Sequence, residues 1–352
     1  MGRYHLTLEP LGETVEVEDG QTILEACLRS GIWLPYACGH GRCGTCKVDV
    51  TGGDVDHGHA SPFALMDIER ADGKTLACCA TLKSDATVEA EIEEDEDAEN
   101  HPLRELTGRV TRLADLTPTV RGIWLAVPDD FAFQPGQYVN LFVPGLDEPR
   151  AFSIANAPSE RGVIELHVRR VPDGKATTWL HESLKVGDEL RLAGPYGRFF
   201  VRQSKTAPRI FIAGGSGLSS LQSMLLERLG SGCTVTITLI HGVRSVAELY
   251  HRETFEALAR EHATFRYVPA ISGDDAAHGL EKGFAHEVLE RLYEGKLAGN
   301  GAYLCGPPPM VEACIRTLMK GRLFEKDIFT ERFVTQGDGE SALARSPLFK
   351  RI

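Results

Sequence analysis

Apolar and polar residues alternate from the start of the chain. Tyr4-His5-Leu6-Thr7-Leu8 and Thr14-Val15-Glu16-Val17 each gather their apolar side chains on one face, the period of a half-buried strand. Thr22-Ile23-Leu24-Glu25-Ala26-Cys27-Leu28-Arg29 then reads as a short helix, with Thr22 or Asp19 as its cap and Gly31 as its stop. From about residue 103 to 202, strand-like runs recur at 106–113, 123–127, 138–143 and 164–171, punctuated by Gly and Pro. That spacing predicts an antiparallel barrel or sandwich. After Pro208 the rhythm changes: a short apolar strand at 209–213 meets a glycine turn and a helix. Further strands at 234–240, 264–268 and 302–305 are separated by helical stretches, which predicts a parallel, doubly wound α/β sheet. The chain is thus expected to be multidomain, with an α+β segment at 1–92, a linker at 93–102, an antiparallel β domain at 103–205 and an α/β domain at 206–352.

Charge narrows the function. The 352 residues carry a net charge of −12, which argues against a nucleic-acid binder. Part of the acid excess lies in the run Glu89-Ala90-Glu91-Ile92-Glu93-Glu94-Asp95-Glu96-Asp97, read as a solvated linker, with a docking surface for a basic partner as the alternative. No apolar stretch is long enough to span a membrane. The N-terminus lacks the blocks of a signal peptide, and Leu6 stands where a myristoylation site needs Ser or Thr. A cytoplasmic protein is expected.

Cysteine brings the chemistry. Six of the nine cysteines fall between Cys27 and Cys79, which points to metal or redox work and not to a disulfide framework. Cys38-Gly39-His40-Gly41-Arg42-Cys43-Gly44-Thr45-Cys46 has the C-x4-C-x2-C spacing of a plant-type [2Fe–2S] site. Three thiolates come from one loop whose glycines let the backbone wrap closely. The fourth ligand is Cys78 or Cys79. Zinc, the rival metal, favours paired short-spaced cysteines. Cys27, Cys233 and Cys314 read as small buried hydrophobes, and His57 and His59 as exposed loop residues outside the ligand set.

With these motifs in place, the whole chain resembles the oxygenase reductases that carry ferredoxin, flavin and nicotinamide modules in that order. Residues 54–66 resemble the ferredoxin region of phenol hydroxylase reductase components. The resemblance implies a β-grasp ferredoxin domain ligated by Cys38, Cys43, Cys46 and Cys78, because Thr75-Leu76-Ala77-Cys78 is similar to the family's Leu-x-Cys. If residues 78 and 79 lie in a strand, their side chains point to opposite faces, and Cys79 is a packing residue. Arg150-Ala151-Phe152-Ser153 resembles the flavin motif Arg-x-Tyr-Ser. It implies Arg150 on the pyrophosphate, Phe152 stacked on the ring without the tyrosine hydroxyl, and Ser153 near N5. Gly174 and Thr177 match the family's second phosphate element at a helix start. The domain order resembles the FAD group.

Ala213-Gly214-Gly215-Ser216-Gly217-Leu218 and Cys305-Gly306-Pro307 match the family's nicotinamide site, implying Gly214, Gly215 and Gly217 at the pyrophosphate, with Cys305, Gly306 and Pro307 beside the nicotinamide. Arg244 and Glu248 resemble the ribose region of NADH-using members. Glu331 and Phe333 match the acid and aromatic of the final strand, although this chain runs on to Ile352. The resemblance implies hydride transfer from NADH to FAD, then single electrons through the [2Fe–2S] cluster to a terminal oxygenase. Ser153, Cys305 and Glu331 would shape the hydride step. A diiron phenol- or toluene-type hydroxylase is the expected partner. Other acceptors are a Rieske dioxygenase, an alkene monooxygenase or a deoxysugar dehydrase; a redox-sensing module without NADH turnover is the rival from another class.

Overall fold

The computed structural model describes residues 2–92, 95–273 and 280–333. The chain divides into two units, Met1–Arg104 and Glu105–Ile352.

The first unit contains β1 (Arg3–Glu9), β2 (Glu13–Glu18), α1 (Ile23–Arg29), β3 (Lys47–Gly52), β4 (Val55–Asp56), α2 (Asp67–Ala71), β5 (Lys74–Leu76), β6 (Thr81–Leu82) and β7 (Ala86–Glu89). Its main sheet has the order β2-β1-β7-β3-β5. β1 and β2 form an antiparallel hairpin, and β7 lies parallel to β1. This is the β-grasp arrangement, with α1 packed across the sheet. The alternation in β1 and β2 puts Leu6, Leu8, Val15 and Val17 in the core, where they meet Ile23, Leu24, Ala26 and Cys27 of α1. Thr22 caps that helix by accepting from Glu25 N–H.

The acidic run begins inside structure: Glu89 closes β7, opposite Glu9 and Asp49. Residues 95–104 belong to this first unit, and Leu103 N–H donates to Leu28 O. Composition alone gives no hint of that anchorage.

The second unit opens with a barrel of β8 (Arg104–Asp115), β9 (Val120–Ala126), β10 (Tyr138–Phe142), β11 (Arg150–Ser153), β12 (Val163–Arg169), α3 (Lys175–Glu182) and β13 (Glu189–Tyr196). The strand order is β11-β10-β13-β8-β9-β12. The two edges meet through an antiparallel bridge between Ile154 and Leu166, with Ala155 N–H donating to Glu165 O. Closure removes both exposed edges. Inward residues Ile123, Leu125, Val139, Leu141, Ile164, Leu166, Leu190 and Leu192 fill the interior, joined by Leu180 of α3.

The rest is a six-stranded parallel sheet with helices on both faces. Its elements are β14 (Arg209–Gly214), α4 (Leu218–Gly230), β15 (Ile237–Val243), α5 (Arg252–Glu261), β16 (Phe265–Ile271), β17 (Glu281–Lys282), α6 (Ala285–Tyr293), β18 (Gly301–Gly306), α7 (Pro308–Lys320) and β19 (Ile328–Arg332). The order is β17-β16-β15-β14-β18-β19. All six residues of β14 are buried. Phe211 and Ala213 face one core, and Ile210 and Ile212 the other. A strand covered on both sides reads as a continuous apolar run for this reason.

Leu166 is fully buried on β12, where the barrel closes. Leu166→Ala should lower the stability of this unit by about 2–5 kcal/mol, measured as a lower midpoint of its thermal unfolding. The first unit's own unfolding transition should stay unchanged.

Candidate active site and metal centre

Residues 38–46 form a loop between α1 and β3 without regular structure. Gly39, Gly41 and Gly44 hold positive φ values of 69°, 70° and 74°. The backbone must fold this way for its N–H groups to face sulfur. His40 and Arg42 N–H both donate to Cys38 Sγ at 3.4 Å, and Gly41 N–H donates to Cys78 Sγ at 3.3 Å. A β-carbon on Gly41 would stand 2.5 Å from Cys79 Sγ, so a side chain there would have to push the Cys79 thiol aside.

The four sequence-nominated thiols come together in two pairs, Cys38 with Cys43 and Cys46 with Cys78. A hydrogen bond from Cys46 pushes Cys78 down to about 6, while Cys46 itself is pushed up by that same bond and by burial. At Cys43 burial works upward, but bonds from Thr45 and Cys38 outweigh it and lower the thiol. Clustered thiols with aligned backbone donors suit thiolate ligation of an iron–sulfur cluster.

The placement of residues 78 and 79 corrects the strand argument. β5 ends at Leu76, and both cysteines lie in the turn that follows. Strand alternation therefore cannot separate them. Cys79 Sγ lies 3.6 Å from Cys78 Sγ and 3.6 Å from His59 Nε2. Burial and the neighbouring Cys78 push Cys79 up to about 12. His57 bonds Thr75 Oγ1 through Nδ1 at 2.9 Å. Cys27 and Cys314 are fully buried as expected, but Cys233 is only half-buried and accepts from Arg209.

In the second unit, four side chains from four elements converge. Ser153 ends β11, Ser220 lies in the first turn of α4, Cys305 is near the end of β18 and Glu331 is on β19. Ser153 Oγ donates to Glu331 Oε2 at 3.2 Å, Ser220 Oγ at 2.6 Å and Cys305 Sγ at 3.5 Å. Burial of the Glu331 carboxyl pushes its pKa up, and the three donors only partly oppose this. Burial also pushes the Cys305 thiol well up. Ser220 had no sequence signal, because a serine just past a glycine turn looks like any helix residue.

The glycine turn is a single 3-10 turn, Gly215–Gly217, with no side-chain cap. A β-carbon on Gly217 would stand 2.2 Å from Cys305 O. Arg169 also lies here, with Nη1 3.5 Å from where a Gly215 β-carbon would sit; it too was missed. Phe333 N–H donates to Gly306 O, which sets Phe333 beside the Cys305-Gly306-Pro307 turn. Glu248 accepts from Arg244 N–H and shapes its own turn, while the Arg244 side chain is exposed.

Two flavin residues are engaged differently from expectation. Arg150 Nη1 folds back to donate to Glu148 O and Pro149 O, both at 3.0 Å. The Thr177 hydroxyl accepts from Val171 N–H and donates to Gly174 O. A phosphate at the start of α3 would therefore meet backbone N–H groups, since Gly174 offers no side-chain cap. Phe152 is half-buried against the barrel core, and Ser153 faces Glu331. A half-buried arginine, an uncapped helix start and a half-buried aromatic fit a flavin nucleotide.

Three family models match in series: a 2Fe-2S iron-sulfur cluster binding domain at 6–83, an oxidoreductase FAD-binding domain at 108–201 and an oxidoreductase NAD-binding domain at 211–316. The chain is 56% identical over 351 residues to the reductase component of phenol 2-monooxygenase from Pseudomonas sp. (strain CF600), covering 99% of each. It belongs to the ferredoxin–flavin–nicotinamide oxygenase reductases. It is also 53% identical to the phenol hydroxylase P5 protein of Acinetobacter pittii (strain PHEA-2), again over 99% of each. Among solved structures it matches the Amycolatopsis cytochrome P450 reductase GcoB with a TM-score of 0.84 and 38% identity, covering 94% of this chain and 98% of that one. As a member of this reductase family, the chain uses FAD, a [2Fe–2S] cluster and NADH and delivers electrons to an oxygenase component. No helix among the described residues is long and apolar enough to cross a membrane.

Ser replacement of Cys38, Cys43, Cys46 or Cys78 should each abolish the visible cluster spectrum and its iron, whereas Cys79→Ser should retain both. Loss in Cys79→Ser with retention in Cys78→Ser would reverse the assignment.

A second expectation concerns Glu331. A carboxyl whose folded pKa is raised favours the folded state at low pH. That contribution fades as pH climbs from the ordinary glutamate value to the raised one. Glu331→Gln should remove this fall, seen as a flatter unfolding profile across that interval, and should slow NADH-to-ferricyanide turnover.

Proposed function

We propose that this chain is the NADH-dependent reductase of a diiron phenol- or toluene-type hydroxylase and works in the cytoplasm. Its likeness to a phenol 2-monooxygenase reductase over 99% of both chains carries the reading. The reductase of a naphthalene 1,2-dioxygenase system from Pseudomonas putida is 31% identical, which favours the phenol hydroxylase partner over a Rieske acceptor. Placement in the cytoplasm rests on the sequence expectation and on the lack of a membrane-crossing helix among the described residues.

When bound, the flavin takes a hydride from NADH and the cluster carries its electrons onward singly; the remaining work is positioning and electrostatics. Cys38, Cys43, Cys46 and Cys78 are the proposed ligands. Arg150 and the N–H groups at the start of α3, from Gly174 to Thr177, would hold the flavin pyrophosphate, with Phe152 against the ring. Gly214, Gly215 and Gly217 open room for the nicotinamide's pyrophosphate, with Arg169 alongside. Gly306 and Pro307 shape the wall that carries Cys305, and Phe333 stands beside it. Arg244 and Glu248 would frame the ribose. Ser153, Ser220 and Cys305 fix Glu331, whose raised pKa keeps a proton at its carboxyl further up the pH scale. The proposed functional boundaries are 1–92, 103–205 and 206–352.

Two measurements test this. Anaerobic NADH should bleach both flavin and cluster absorption. With a phenol hydroxylase oxygenase component, NADH use should become phenol-dependent and yield the dihydroxybenzene. A chain that bleaches normally but drives only a Rieske oxygenase overturns the partner. A fragment starting at Leu103 should keep FAD and reduce ferricyanide, yet fail to support hydroxylation. Full hydroxylation by that fragment would overturn the cluster as the obligatory exit.

A further inference from the structure

A second group of metal-binding side chains lies away from the cysteines. Glu165 and His167 are on β12, and His251 immediately precedes α5. One ligand atom from each falls within 4.8 Å of the others. His167 Nε2 is 2.9 Å from Glu165 Oε1, and His251 Nε2 is 3.8 Å from the same oxygen. The side chains of His167, Glu165 and His251 are 0%, 10% and 24% exposed. His251 Nε2 is itself buried and has no hydrogen-bond partner.

A hydrogen-bonded pair explains two of these residues. It does not explain the third, since a buried nitrogen without a partner is costly. We propose that Glu165, His167 and His251 form a site for a divalent transition ion of the zinc class, distinct from the iron–sulfur centre. Two imidazoles and one carboxylate are a common zinc donor set with a fourth position left for water.

The surroundings prepare the donors. His167 Nδ1 lies 3.3 Å from Tyr250 OH, which in turn points at Gly215 O at 3.5 Å. With Tyr250 donating to that carbonyl, its oxygen can accept from His167 Nδ1–H, so an ion that takes the place of the Nε2 proton meets a free Nε2 lone pair. Such an outer partner fixes a ligating histidine's tautomer. His251 Nε2, with no hydrogen-bond partner of its own, is open to the ion. Glu165 Oε1 faces both imidazoles and supplies the carboxylate oxygen. Bound there, the ion ties β12 of the barrel to the start of α5 in the α/β sheet. Through Tyr250 it also touches the carbonyl of the glycine turn.

The test uses holoenzyme with its full complement of iron, so that the cluster cysteines are occupied. Incubate it with zinc sulfate, desalt, and count metals by mass spectrometry. Zinc K-edge absorption then reads the donors. About one zinc per chain is expected, with a shell of nitrogen and oxygen only at about 2.0–2.1 Å, together with a higher melting temperature. Both should be lost in His251→Ala and in Glu165→Gln. The second variant can still accept from His167 and so keeps a purely structural network intact. No retained zinc, equal zinc in both variants, or a sulfur shell near about 2.3 Å overturns the site.

Discussion

A β-carbon on Gly217 would lie 2.2 Å from the carbonyl oxygen of Cys305, and the hydride end of the molecule depends on that closeness. The turn leaving β14 must press against the end of β18, so the first turn of α4 starts directly over it. Ser220 then reaches both Cys305 and Glu331, at 3.7 and 2.6 Å. Because β19 lies beside β18 with Cys305 opposite Glu331, the carboxyl is delivered to the same spot. Ser153 closes the group from the barrel. A side chain at residue 217 would push α4 away and separate all four groups.

The cluster loop rests on a similar constraint. Gly41, at a φ of 70°, passes close to Cys79 Sγ, where a β-carbon would stand 2.5 Å from it, and its N–H reaches Cys78 Sγ. The loop is pinned from outside as well, since Ser61 N–H donates to Gly41 O at 2.9 Å. Donors fixed before a charge arrives need no reorganisation when it does, and hydrogen bonds to sulfur help set a cluster's potential.

Where the chemistry is local, the sequence shows it. Three thiols in nine residues, the glycine turn and Cys305-Gly306-Pro307 each lie within one short segment, and the change of rhythm after Pro208 marks the parallel sheet. What remained hidden was made by topology. Ser220 and Arg169 gain meaning only because β14 and β12 end at the same place. The 78–79 turn defeated the strand argument because pairing with β3 stops at Leu76. Arg150 and Thr177 were nominated by motif, but their bonding groups are engaged by nearby backbone. A motif names the residue and not the direction it faces.

The second unit also holds two enclosed glutamates shifted in opposite directions. Glu165 is held below the ordinary glutamate value and Glu331 above it, though burial presses both upward. The difference lies in the neighbours. Glu165 has imidazoles at 2.9 and 3.8 Å and the charge of Arg112 nearby, which favour an anion. Glu331 has two hydroxyls and a thiol. These neutral donors satisfy its oxygen without supplying positive charge, so desolvation prevails. Environments that push two like groups apart in this way also divide their labour. The anionic glutamate suits a cation, and the one that holds its proton longer suits the neutral wall beside the nicotinamide turn.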